Sequence, residues 1–151
     1  MKPRSPRLAT RALILDEGRL LIVNAFRGGV SDLWCAPGGG VHAGTSLPDN
    51  LEREIHEECG LSISVGAPCL VNEFHDPATG FHQVDVYFHC TALGPLPALW
   101  RDPEGVVTNR RFVTRQELSR LRYKPDSLPD AAWGTPGTGR ILYDALEVIV
   151  R

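Results

Sequence analysis

An α+β domain, built on a mixed sheet with helices packed against it, is the fold class this 151-residue sequence predicts. Short apolar runs with β-type alternation outnumber the helical segments. Strands and helices follow one another without a regular βαβ alternation, which argues against a doubly wound sheet. The segment from Ser46 to Gly60 carries a full set of helix start and stop signals. The length suits about one domain, and with no repeat or dividing linker, residues 1–151 read as a single unit.

The elements follow in order. "LATRALILD" and "GRLLIVNAF" read as strands joined across the turn-forming Asp16-Glu17-Gly18. "LWCAP" is a short apolar run ending at Pro37, and the glycine-rich "GGGVHAG" reads as loop. A helix then starts with Ser46 as N-cap and Pro48 in its first turn, and stops at Gly60. "LSISV", "PCLVNEF" and "HQVDVYFHCTAL" return to β, the last with Val84, Val86 and Phe88 on one face and Asp85 and Tyr87 on the other. "PLPALWRDPEGVVTNR" reads as loop, "RFVT" as a strand, and "RQELSRL" as a short helix beginning at Thr114. "YKPDSLPDAAWGTPGTG" reads as a second long loop, and "RILYDALEVIV" as a closing amphipathic helix.

Hydrophobic residues make up 42% and charged residues 23%, an ordinary globular balance, and the net charge of −2 argues against a nucleic-acid polymer as partner. No run approaches the roughly 18 apolar residues of a membrane span, and "RALILDEGRLLIV" is too broken by charge for a secretory segment. Cys35, Cys59, Cys69 and Cys90 are scattered without a C-x-x-C pair, which suits reduced, buried thiols in a cytoplasmic protein. His75, His82 and His89 read as structural strand histidines, and Trp34, Phe74, Phe81 and Trp100 as core.

The chemistry concentrates in "REIHEECG". Leu47, Leu51, Ile55 and Cys59 form one apolar stripe of the helix, and Glu54, Glu57 and Glu58 fill the neighbouring arc. Glu54 and Glu58 lie one turn apart, a like-charged pair that costs roughly 0.2–0.5 kcal/mol even in water. Arg53 can neutralise Glu57 at i+4, which leaves the helix short of positive charge. On periodicity alone a solvated acidic face and a shared hard cation are equally good readings. The preceding Gly38, Gly39 and Gly40 favour the cation, because they let the backbone come close to a metal and to phosphate oxygens filling its open positions.

From Gly39 to Leu61 the chain reads "GGVHAGTSLPDNLEREIHEECGL" and resembles the Nudix box, G-x5-E-x7-R-E-U-x-E-E-x-G-U, where U is a bulky aliphatic. Gly39, Arg53, Glu54, Ile55, Glu57, Glu58, Gly60 and Leu61 match at the right spacing. The resemblance implies the Nudix α/β/α sandwich and hydrolysis of the pyrophosphate linkage in a small nucleoside diphosphate derivative, with Mg²⁺ or Mn²⁺ as cofactor. It implies Glu54, Glu57 and Glu58 as metal ligands, the Gly38–Gly40 backbone at the bound group, and Arg53 orienting the glutamates. For the general base it offers Glu54 or a later-loop glutamate, of which Glu104 is best placed and Glu117 second. A homodimer is compatible with it. Two positions depart from the pattern: Thr45 replaces the first glutamate of the box, and His42 stands where many relatives are acidic. Arg53 must therefore find another partner, with Glu57 to hand. Thr45 also keeps a second reading open, a weak or inactive Nudix-fold module that binds a nucleotide or a protein.

Overall fold

The first long apolar run becomes the strand β1 (Arg7–Asp16), which turns through Glu17 and Gly18 into β2 (Arg19–Asn24). Both turn residues have positive φ, 49° and 75°, the backbone of a two-residue hairpin turn that follows the twist of its strands. The computed structural model describes residues 4–134 and 139–151. Its further elements are β3 (Trp34–Cys35), β4 (Gly38–Gly40), α1 (Leu47–Cys59), β5 (Ile63–Asp76), β6 (Phe81–Ala92), β7 (Arg110–Val113), α2 (Arg115–Leu118), α3 (Leu128–Trp133) and β8 (Leu142–Val148). The sheet order is β3-β2-β1-β6-β5-β8, with β4 also pairing β1 and β7 also pairing β2. β1 and β6 run parallel, as do β5 and β8, among otherwise antiparallel neighbours, so the sheet is mixed.

Each sheet face carries its own apolar cluster. On one, Leu51, Ile55 and Cys59 of α1 meet Ala12, Ile14, Leu21, Val23 and Phe88. On the other, Leu118 of α2 and Leu128, Ala131 and Ala132 of α3 meet Leu13, Leu20, Ile22, Leu70 and Tyr87. A fully buried Leu or Ile contributes about 1.5–3 kcal/mol, so α1's apolar stripe suffices to hold it on the sheet. The result is the helix–sheet–helix sandwich of the expected α+β class.

Four expectations need correction. Gly38–Gly40 is a strand: its residues pair with Arg11, Thr10 and Ala9. "LSISV" and "PCLVNEF" are one strand, irregular between Val65 and Leu70, where Pro68 is tolerated because the ladder is already broken. The second proline-rich loop contains α3, where Pro129 occupies a first-turn position that needs no N–H donor; residues 135–138 of that loop lie outside the described residues. The closing segment is the strand β8, not a helix. There Asn72 pairs with Asp144 and Phe74 with Glu147, so β8 carries one extra residue. That bulge turns an i,i+3 spacing, which looks helical in sequence, into two carboxylates on one face. Asp144 accepts from Ser127 N–H and Oγ, and Glu147 from Lys124 Nζ.

Gly60 closes α1 in the left-handed region, φ 69°, its N–H donating to His56 O at 2.9 Å. A Cβ there would sit 2.5 Å from the Trp100 ring. Gly60→Ala should lower stability by at least the ~1–2 kcal/mol of a left-handed L-residue, measured by urea denaturation; an unchanged midpoint would show that the helix end rearranges freely.

Candidate active site

α1 begins where Ser46 Oγ accepts the N–H of Asp49 at 3.2 Å, satisfying one of the donors that a helix start leaves open. Its acidic arc then lies against the glycine strand. Gly38 N–H donates to Glu58 Oε2 at 3.0 Å. A Cβ on Gly39 would come within 2.5 Å of the Glu54 carboxylate, and one on Gly38 within 1.9 Å of Thr10 O. Only glycine lets the backbone pass between β1 and these carboxylates.

Arg53 finds three partners without a carboxylate at position 45. Its Nη1 donates to both oxygens of Glu57 at 3.2 and 3.1 Å, and its Nη2 to Asn50 Oδ1 at 2.9 Å and Glu54 Oε1 at 3.1 Å. Asn50, fully buried, ties the assembly together. Its Oδ1 also accepts from His42 N–H at 3.1 Å, and its Nδ2 donates to Gly40 O at 3.1 Å and to Thr10 Oγ1 at 3.4 Å. Sequence reasoning missed Asn50; the available signal was a polar residue beside Leu51, one turn before Glu54.

The loop bearing Glu104 is braced from beneath. Asp102, only 4% exposed, accepts from the N–H groups of Glu104, Val106 and Val107. Asn24 Oδ1 accepts from Thr108 and Asn109 N–H, and its Nδ2 donates to Val106 O. Arg27 Nη1 donates to Glu104 O at 2.9 Å, so that arginine supports the loop. At the loop's other end Arg110 donates to Cys59 O and Pro97 O, and Trp100 Nε1 to Glu57 O at 2.9 Å. Trp100 is therefore a surface ring over the end of α1, 41% exposed, and not the core residue expected.

These parts meet in one cavity of about 400 Å³, lined by Gly38, Gly39 and Gly40 with Glu54, Glu58 and Glu104. Arg7 and Arg11 of β1 line it as well, two cations that sequence reasoning passed over although "RLATR" places them on one strand face. Glu57 is not among the lining residues; it lies on the outer side, held by Arg53. Glu117 closes a capping box with Thr114 at the start of α2 and also lies outside the cavity.

A NUDIX domain model matches residues 5–133. The chain belongs to the NUDIX domain family. Among solved structures, a UDP-X diphosphatase is similar with a TM-score of 0.71 over 97% of this chain and 70% of that one, at 21% identity. An ADP-ribose pyrophosphatase from Streptococcus suis 89-1591 is similar at 0.68 over 93% and 100%, with 20% identity. The E. coli ORF135 protein gives 0.63 over 82% and 84%, at 23% identity. At such identities the likeness is one of fold. No curated protein matches this chain in sequence.

Burial dominates the electrostatics of this Nudix domain. It pushes the Glu58 carboxyl up to about 8, with Glu54 and Asp102 adding repulsion against the opposing Arg11 charge and Gly38 N–H. Glu54 is raised for the same first reason, and Arg53 only partly offsets it. Among the described residues no three His, Cys, Asp or Glu side chains form a metal-holding group by themselves. The donors nevertheless fit a hard divalent cation: two desolvated, mutually repelling carboxylates sit against a glycine cradle, and Mg²⁺ commonly takes one or two carboxylates and completes its shell with substrate phosphate oxygens. Burial also raises the thiols, Cys35 to about 11 and Cys59 to about 12, so neither is an activated nucleophile.

In the metal-free protein, Glu58 has a folded pKa of about 8 against an ordinary 4.5. Folding thus favours its protonated form, and that stabilisation, complete below the ordinary value, is lost as pH rises through the folded one. The metal-free melting temperature should fall between pH 5 and pH 8, and Glu58→Gln should flatten the fall. Parallel pH profiles for the two proteins would locate the titrating group elsewhere.

Proposed function

We propose that this Nudix hydrolase cleaves the pyrophosphate linkage of a small nucleoside diphosphate derivative, with Mg²⁺ or Mn²⁺ as cofactor. The observation that carries the reading is the convergence of Glu54, Glu58, Glu104, the glycine strand and the two arginines Arg7 and Arg11 of the adjacent β1 on one cavity. Carboxylates and guanidinium groups lining the same cavity suit a diphosphate and its counter-ion. A bound divalent cation would neutralise the phosphate charge and lower the pKa of the attacking water. Glu54 and Glu58 would hold it beside the glycine strand. Arg53 fixes the rotamers of Glu54 and Glu57 through the hydrogen bonds described above. Glu57, turned outward, supports Arg53 before it serves as a ligand. Glu104 is the candidate general base, since its loop is rigidly braced and it has no role in holding α1. Arg7 and Arg11 bind phosphate oxygens.

The binding-module alternative drew its force from Thr45. Thr45 is half-buried, its N–H donating to His42 O, and Arg53 pairs with Glu54, Glu57 and Asn50 without it. Hydrolysis therefore remains the better reading. A cytoplasmic setting would keep the four cysteines in the free state they show here.

The deciding experiment is turnover of a panel of nucleoside diphosphate derivatives with Mg²⁺ and with Mn²⁺, read as release of phosphate or nucleoside monophosphate. No turnover on any member would count against the hydrolase.

Two sets of variants then separate the roles. Glu54→Gln with Glu58→Gln should abolish the rise in melting temperature that Mg²⁺ gives the wild type by binding the native state. Glu104→Gln should keep that rise while lowering kcat by roughly 10²–10⁴-fold. A fully active Glu104→Gln would make the loop glutamate a bystander.

A further inference from the structure

Asn50 lies in the first turn of α1, fully buried, and both halves of its amide are fully used. Oδ1 accepts from His42 N–H at 3.1 Å and from Arg53 Nη2 at 2.9 Å. Nδ2 donates to Gly40 O at 3.1 Å and to Thr10 Oγ1 at 3.4 Å. The neighbours dictate this orientation, because a backbone N–H and a guanidinium only donate and a backbone carbonyl only accepts. Turning the amide over would set donor against donor at His42 and Arg53, and acceptor against acceptor at Gly40. One side chain therefore touches β1, β4 and the turn before α1, and presents a fixed acceptor to Arg53.

The two halves do different things. The donor half fastens α1 to the sheet, a task shared with the apolar packing of Leu51 and Ile55. The acceptor half meets a guanidinium whose other side-chain partners are the carboxylates. Arg53 Nη2 is divided between Asn50 Oδ1 and Glu54 Oε1, at 2.9 and 3.1 Å, while Nη1 holds Glu57. Glu54 and Glu57 have long side chains that could swing together with the guanidinium. Asn50 is the partner whose own side chain is hydrogen-bonded to β1 and β4, so it alone refers Arg53 to the sheet. It is also neutral. A carboxylate in its place would add another negative charge beside Glu54, whereas the amide supplies direction and leaves the Arg53 charge to the glutamates.

We propose that Asn50 is a positioning residue of the divalent-cation site: acting through Arg53, it sets the Glu54 carboxylate where it can ligate, in the absence of a carboxylate at Thr45. The proposal rests on the metal-dependent reading above and adds what orients the ligand. It requires no contact between Asn50 and cation or substrate.

The test is Mn²⁺ affinity without substrate, read by electron paramagnetic resonance of the free ion, in about 0.5 M KCl to screen charges that act only across solvent. Asn50→Ala removes both halves of the amide and suits a helix. Asn50→Asp keeps an acceptor toward Arg53 and His42 and loses the donor toward Gly40. Both should lower the melting temperature, which therefore does not discriminate. Affinity does. Asn50→Ala should bind Mn²⁺ at least tenfold more weakly than wild type, the loss expected when a ligand's orienting partner is removed. Asn50→Asp should stay within about threefold of wild type. A residue that merely fastens the helix would make the variants move together; affinity kept in both, or lost in both, overturns the proposal. Should either variant fail to fold, as judged by near-ultraviolet circular dichroism, nitrogen NMR of wild type decides. The metal-free protein should then show separate Nη1 and Nη2 signals for Arg53, assigned through Arg53→Lys, and one averaged signal overturns the proposal. Wild type that binds no Mn²⁺ would sink the metal-dependent reading together with this one. Unchanged affinity in Asn50→Ala would sink only this one.

Discussion

The passage of the glycine strand between β1 and α1 is the constraint on which the rest of the structure depends. Gly38 approaches the Thr10 carbonyl so closely that a Cβ would lie 1.9 Å from it, and Gly39 leaves no room for one beside Glu54. Side chains here would push α1 away from the sheet and break the hydrogen bond from Gly38 to Glu58. Because the strand is pinned, the carboxylates are pinned too, with Asn50 locking the helix to the strand and to the turn at His42. Packing sets the spacing, and the spacing brings the two acidic side chains into one desolvated place.

That arrangement concentrates charge in a way that folding alone does not favour. Glu54 and Glu58 are both raised, first by burial. Arg53 pairs with Glu57 on the outer side of the cluster and with one oxygen of Glu54, and does not reach Glu58. Arg11, on the strand that pairs with the glycine strand, lines the same cavity, its charge maintained against burial by Asp85. A cavity lined by desolvated carboxylates and fixed arginines is pre-organised for a ligand carrying both charges. A diphosphate with its divalent counter-ion is the simplest such ligand.

Four regions far apart in sequence build the cavity, and each is stabilised separately. β1 contributes arginines from a central strand, β4 its backbone, α1 its carboxylates, and the 102–107 loop Glu104. The loop could have been the loose component, since it has little regular structure. Asp102 and Asn24 instead satisfy its backbone from inside, and Arg110 and Trp100 tie the segment before and after it to the end of α1. The same residues that close the helix thus fix the distance from α1 to the loop, and displacement of either would be felt at both.

The sequence alone determined the α+β class, the helix from Ser46 to Gly60 and the acidic arc on it, because caps and the 3.6-residue period are local properties. The Nudix resemblance was legible for the same reason: its box lies in 23 consecutive residues. Tertiary structure decided what depends on partners. Gly38–Gly40 has no side chains to show a pattern, and became a strand only because β1 offered an edge. The closing segment became β8 because β5 had a free edge and a bulge could place Asp144 and Glu147 on one face. Glu57 and Glu58 are adjacent in sequence, yet one turns out toward Arg53 and the other in toward Gly38, a division set by where the strand lies. Asp102 carries no local signal, and the alternation of "RLATR" that sets Arg7 and Arg11 on one strand face does not say what that face meets. Each owes its place to chain segments distant in sequence, and only the folded sheet brings them together.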